Sequence, residues 1–284
     1  MKIFVIPTTA AEHLAGKLEG KFKIVRPELN REGARYFPDG EIYMAISKVA
    51  KLRGRRVVVL HSGCPNPNEG LAELELILQI LRDNKIRHEV FFSYFPYGMQ
   101  DSVFDTGETN VAENLVEKLI NYYKVSKIYI IDAHFGGRKW VKKYPIENIS
   151  ATSILMEKAK EDFGEDILFL SPDKGGKRRT KISGFKKKRL NSFTVEMISS
   201  RANLRGKVAA VVDDVIKTGG TLVKFSQTAK EAGAKRVLAL ATHGVIDNGI
   251  ARVSTNFSKL YFTNTINKKD ANVDITDLII NALN

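Results

Sequence analysis

The chain has 284 residues, 43% hydrophobic and 27% charged, which fits a soluble globular protein of two ordinary-sized domains. Its apolar runs are strand length, far short of the ~20 residues that span a bilayer, so no membrane association is expected, and its one cysteine, Cys64, excludes an internal disulfide and favours a cytoplasmic setting. A net charge of +13 points to anionic partners, but the basic residues are spread out and lack interleaved aromatics, so small polyanions are expected and nucleic acid is not.

Strand and helix patterns alternate from end to end, the mark of an α/β chain with mostly parallel sheets. Lys2–Ile6 reads as a strand and Ala10–Leu18 as a helix; Pro7 and Glu12 interrupt the apolar run too early for a signal peptide. Lys23–Arg26 is a short strand, Arg35–Glu41 a loop turning on Pro38-Asp39-Gly40, and Ile42–Ile46 a strand. Arg56–His61 is a buried strand. Asn68–Asp83 is a helix with Leu71, Leu74, Leu78 and Leu81 on one face. Strand Glu89–Tyr94 runs into an aromatic loop, helix Glu108–Tyr123 follows, and strand Lys127–Asp132 ends in Ala133-His134-Phe135-Gly136-Gly137. Basic and turn-forming residues from Arg138 to Asn148 read as the boundary between domains spanning 1–146 and 147–284.

The second half continues with helix Ala151–Asp162 and strand Ile167–Ser171, then a glycine loop, Pro172-Asp173-Lys174-Gly175-Gly176. A basic segment, Phe185 to Met197, precedes the most informative stretch, Val208 to Leu222. Val208 to Val212 is a buried strand. Asp213 and Asp214 follow, then Val215, Ile216 and Lys217, and a Thr218-Gly219-Gly220-Thr221 turn opens a helix to Ala232. Backbone N–H groups at a helix start, with its dipole, suit a phosphate dianion, and the glycines let the backbone approach it closely. The carboxylates can accept hydrogen bonds from sugar hydroxyls. Strand Arg236–Thr242, followed by His243-Gly244, strand Lys259–Phe262 and helix Ile275–Leu283 complete the chain. Polar residues thus gather at strand carboxyl ends, where open α/β sheets bind ligands.

Asp213-Asp214 followed by Thr218-Gly219-Gly220-Thr221 resembles the signature shared by type I phosphoribosyltransferases and ribose-phosphate pyrophosphokinases. Phe37-Pro38-Asp39-Gly40-Glu41, Asp132-Ala133-His134, Ser171 to Gly176, Lys187-Lys188-Arg189 and Thr263-Asn264-Thr265 resemble the pyrophosphokinases in particular, in order along nearly the whole chain. The resemblance implies two phosphoribosyltransferase-type, Rossmann-like domains. It also implies transfer of a diphosphoryl group from ATP to the C1 hydroxyl of ribose 5-phosphate, giving phosphoribosyl pyrophosphate and AMP.

By the same resemblance Asp213, Asp214, Thr218, Gly219, Gly220 and Thr221 bind ribose 5-phosphate. Phe37, Asp39, Glu41, Gln100 and Asp101 bind the nucleotide, with the Phe37 loop contributed by a neighbouring subunit of a homo-oligomer. His134 and Asp173 hold or position Mg²⁺, and Lys187 and Arg189 are the catalytic cations. Two features depart from the family pattern. Tyr97-Gly98-Met99-Gln100-Asp101 has Met99 where the family has an arginine that touches the ATP phosphates, and Lys187 follows Asp173 by only 14 positions. These departures keep open a homologue that binds without turnover, as a regulatory subunit, or has altered nucleotide use; a phosphoribosyltransferase acting on a base is a further alternative.

Overall fold

The computed structural model describes residues 2–171 and 204–284. It forms two compact units: Met1–Ile149 together with Thr276–Asn284, and Ser150–Ile275.

The sheet of the first unit comprises β1 (Ile3–Pro7), β2 (Lys23–Ile24), β3 (Arg56–Ser62), β4 (His88–Tyr94), β5 (Ile128–Ile131) and β6 (Ile146–Ile149), in the order β2-β1-β3-β4-β5-β6. All of its pairings are parallel. Parallel strands need helical crossovers that cover both faces, and the strands accordingly read as continuous apolar runs. On one face Phe4, Ile6, Val57, Val59, Val90, Phe92, Ile128 and Ile130 pack with two helices, α2 (Pro67–Asp83) and α3 (Val111–Asn121). Leu74, Leu78 and Leu81 of α2 are buried there, and Leu71 is partly so. The Asn110 side chain accepts from the Glu113 amide at 3.1 Å and donates back to its carboxylate at 2.9 Å, capping α3. On the other face lies α1 (Glu12–Leu18), with Leu14, Ala15 and Leu18 buried.

The second unit has β7 (Ile167–Leu170), β8 (Val208–Ile216), β9 (Arg236–Gly244) and β10 (Lys259–Thr263), in the order β10-β9-β8-β7, again all parallel. Alternate residues of one strand feed two separate cores. Ala209 and Val211 pack with α5 (Gly220–Glu231) and α6 (Asp247–Asn256), while Ala210 and Val212 pack with α4 (Thr152–Phe163). The closing helix, α7 (Thr276–Leu283), packs near α1 in the first unit, and Arg56 donates to the Leu283 carbonyl.

Three local expectations differ. Ile42–Ile46 is not a strand: a single antiparallel bridge joins Tyr36 to Ile42, closing a hairpin with no sheet beside it. Arg138 to Asn148 is not merely a boundary: Lys139–Lys143 forms a 3-10 turn that buries Trp140, and Ile146–Ile149 becomes the edge strand, where half-exposed residues suffice. Helix α6 has no clear signal in the sequence, because Asp247-Asn248-Gly249 has turn composition. No helix among the described residues is long and apolar enough to cross a membrane.

Candidate functional site

In the second unit the site begins with β8, which runs on through the acid pair to Ile216. Successive strand residues alternate faces, so Asp214 is buried (3% exposed) while Asp213 is half-buried. The Asp213 carboxylate accepts from the Asp214 amide at 3.0 Å. Beyond the strand, Gly219 caps α5 in the left-handed conformation, φ 72°. A side chain there would be strained by that φ, and its Cβ would lie 2.7 Å from Val253 Cγ2. The turn therefore sits directly on α6. Gly249 is the closest point of that contact, since a Cβ on it would fall 1.7 Å from the Lys217 carbonyl oxygen. The result is a turn whose backbone path is set from below, with Gly220 and Thr221 opening the first turn of α5 above it.

Next to β8, His243 is buried within β9, paired in register with Val215. Its Nδ1 lies 2.9 Å from Thr265 Oγ1, and Thr263 Oγ1 donates to the Thr242 carbonyl at 2.6 Å. Asn264 donates to Asp274 at 2.9 Å and accepts from the Ile275 amide at 2.9 Å. The Thr263-Asn264-Thr265 tip thus braces the ends of β9 and β10.

In the first unit, Phe37, Asp39 and Glu41 occupy the tip of the hairpin. The Phe37 amide donates to the Glu41 carbonyl at 2.8 Å, Gly40 has φ 90°, and the exposed Phe37 ring meets Tyr43 edge-on at 5.9 Å. Arg35 holds the base, donating to the carbonyls of Pro27, Glu28 and Tyr43 and approaching the buried Glu73 of α2 at 4.0 Å. Glu73 also accepts from the Thr9 amide and hydroxyl at 2.9–3.1 Å, and burial raises its pKa above the ordinary carboxylate range. Tyr36 donates to Glu69, and Tyr97 donates to Asn68, so the hairpin and the loop after β4 are both moored on the first turns of α2.

Gln100 is exposed, and Asp101 is buried (5% side-chain exposure) against Arg138, a residue to which the sequence pattern assigns no role. Arg138 grips Asp101 with a two-point fork, Nε to Oδ2 at 2.7 Å and Nη2 to Oδ1 at 2.8 Å, and reaches Ser102 Oγ at 3.2 Å. The Asp101 contact raises the guanidinium pKa further. Trp140 Nε1 donates to the Asp101 carbonyl at 3.4 Å and its ring stacks on Phe135. Asp132 ends β5 in a left-handed conformation, φ 38°, uncommon for a non-glycine residue and frequent at functional turns. His134, half-buried, follows in a tight turn in which the Ala133 amide donates to Asn148 and the Gly136 amide to the Ala133 carbonyl.

The structure therefore brings Asp213 and Asp214 to the Gly219 turn, and Asp101 to the loop that carries His134. Asp173, Lys187 and Arg189 lie outside the described residues. Arg138, Glu73 and Gly249 escape a reading of the sequence because each matters through a partner far away along the chain.

Comparison with known proteins identifies relatives of the chain as a whole. A model of the N-terminal domain of ribose phosphate pyrophosphokinase matches residues 2–123, and one of a phosphoribosyl synthetase-associated domain matches residues 185–282. The chain is 32% identical over 288 residues to a ribose-phosphate pyrophosphokinase of Pyrococcus furiosus, covering 97% of this chain and 98% of that one. It is 30% identical over 293 residues to the Pyrococcus abyssi protein of the same name, covering 99% and 98%. Among solved structures, a phosphoribosylpyrophosphate synthetase from Mycobacterium smegmatis shares the fold with a TM-score of 0.81 at 22% identity, over 100% of this chain and 98% of that one.

Proposed function

Because this chain belongs to the ribose-phosphate pyrophosphokinase family, we propose that it transfers the diphosphoryl group of ATP to ribose 5-phosphate. The C1 hydroxyl oxygen bonds to the β-phosphorus and gives up its proton. The bond from that phosphorus to the oxygen bridging it to the α-phosphorus breaks, and AMP leaves with that oxygen. The products are phosphoribosyl pyrophosphate and AMP.

The strongest support is the turn at Gly219. Its left-handed backbone opens α5 with amides at a helix start, flanked by Thr218 and Thr221, which suits the 5-phosphate. Asp213 and Asp214, at the same strand end, would accept from the ribose hydroxyls. Phe37 would pack on the base, with Asp39 and Glu41 accepting from its amino group, and Gln100 and Asp101 would line the nucleotide side. Catalysis of phosphoryl transfer is chiefly positioning and charge stabilisation, the role assigned to Lys187 and Arg189.

No cluster of three or more His, Cys, Asp or Glu side chains is placed to hold a metal among the described residues. Of the two residues assigned to Mg²⁺, the Asp173 carboxylate is the oxygen donor that the ion prefers, and the His134 imidazole would position it through its water shell, the ion itself being held largely by substrate phosphates and water. When bound, it would neutralise charge on the transferred group. A homo-oligomer in the cytoplasm, with a neighbour's hairpin completing the nucleotide site, completes the reading.

Purified protein given ribose 5-phosphate, ATP and Mg²⁺ should release AMP and phosphoribosyl pyrophosphate in equal amounts, and none without ribose 5-phosphate. Absence of both products refutes the reaction. One observation favours binding without turnover: Met99, Val103 and Phe104 are exposed apolar residues on a loop without cations. Nucleotide binding with no AMP formed would select it.

A further inference from the structure

A nucleotide polyphosphate needs cations, and the loop that carries Gln100 and Asp101 has none: residues 95–105 contain no lysine or arginine. The cation at this loop comes from elsewhere. We propose that Arg138 is a phosphate-binding residue for the nucleotide, and that Asp101 is the positioning residue that aims it. The proposal rests on the nucleotide reading above and names a residue that reading did not include.

The geometry is asymmetric in a way that an ordinary surface ion pair is not. Asp101 has 5% of its side chain exposed, Arg138 45%. The buried partner is fully committed: its two oxygens take Nε and Nη2 of the guanidinium, and its backbone carbonyl takes the Trp140 indole. Trp140 is buried and stacked on Phe135, which meets Phe95 edge-on at 5.0 Å, so the platform beneath Asp101 is rigid. Arg138 contributes one edge of its fork to this platform. A guanidinium has five N–H donors in a fixed plane, so an edge held by a carboxylate leaves donors, on Nη1, for a second anion. The residue lies where ligands bind in such sheets, on the loops after the carboxyl ends of β4 and β5, four positions beyond His134. A pre-oriented arginine loses little side-chain freedom when it meets a phosphate, which is what a binding group requires.

A purely structural pair would treat all ligands alike, whereas a phosphate-binding arginine discriminates by phosphate number. The test measures ATP, ADP and AMP binding by calorimetry with Mg²⁺ present, on the wild-type chain and on Arg138→Gln. Arg138→Lys, which keeps the charge but not the fork, is the milder variant. Should the single glutamine variant fail to fold, Asp101→Asn/Arg138→Gln removes the stranded carboxylate and is measured instead. ATP affinity should fall roughly tenfold to a hundredfold in Arg138→Gln. AMP affinity should stay within about twofold, and Arg138→Lys should fall between. Asp101→Asn should weaken ATP in the same direction, and the double variant should be no worse than Arg138→Gln alone. Unchanged ATP affinity, or equal losses for ATP and AMP, overturns the assignment of Arg138 while leaving the nucleotide site standing. A wild-type chain that binds none of the three nucleotides overturns the underlying reading and the assignment with it.

Discussion

The contact between α6 and the turn after β8 makes Gly249→Ala a sharp test of the proposed sugar-phosphate site. The added Cβ would lie 1.7 Å from the Lys217 carbonyl oxygen, and real Cβ atoms essentially never approach closer than 3.0 Å, so helix or turn must yield by about 1.3 Å. The turn has little room, because Gly219 is itself seated on Val253 and the Gly249 carbonyl. Ala gains up to ~1 kcal/mol over Gly in helix propensity, but overpacking costs ~1–3 kcal/mol, so net destabilisation is expected. The larger effect is on function. A misplacement of about 1 Å in a positioning element costs on the order of 10²-fold, or about 2.7 kcal/mol. Steady-state kinetics with ribose 5-phosphate varied should show kcat/KM down by about that factor, with the KM for ATP little changed. Gly16→Ala in α1, where no atom lies within 4 Å of the new Cβ, serves as control and should stabilise by about 0.5–1 kcal/mol with kinetics intact. A folded Gly249→Ala protein with wild-type kinetics would refute the view that this turn cradles the phosphate.

Other consequences are as concrete. The fully buried His61 ring, 2.9 Å from Thr8 Oγ1, has its pKa lowered by burial from 6.5 to about 3. The unfolded chain therefore takes up a proton that the folded one refuses: this stability is complete above pH 6.5 and is lost as pH falls toward 3. Urea unfolding at pH 5 should show roughly 2 kcal/mol less stability than at pH 7 from this group, with buried His88 adding in the same direction; a stability independent of pH over that range would contradict it. Glu73→Gln disrupts acceptance from Thr9 and the approach to Arg35, and should cost about 1–3 kcal/mol in denaturant unfolding. It should also raise the KM for ATP more than that for ribose 5-phosphate, because the base of the Phe37 hairpin loosens; equal effects on both would show that the hairpin does not depend on this anchor. Met99→Arg should leave the KM for ATP within about threefold, since Arg138 already supplies the cation; a large gain would mean that the wild-type site lacks one.

Much of this protein is legible in its sequence. Alternating apolar runs and amphipathic stretches lead to an α/β reading, because parallel strands are buried on both faces and their crossover helices on one. The turn at Gly219 is legible as a turn, since paired glycines between an apolar strand and an amphipathic stretch mark a backbone reversal. Legibility fails where a residue's role comes from a distant partner. Asp247-Asn248-Gly249 looks like a turn until Lys217 and Gly219 are laid across it, and Ile146–Ile149 looks like linker until β5 offers its edge.

The class of the fold and the glycine turn between β8 and α5 depend on residues near one another along the chain, and local pattern was enough to establish them. What holds those pieces in place came only from the folded chain: Gly249 beneath the turn, Glu73 beneath the hairpin, and Arg138 locked onto Asp101 across 37 positions of sequence. Hydrogen bonds and close packing act over a few ångströms, and no local pattern records which distant residues a fold will bring that near.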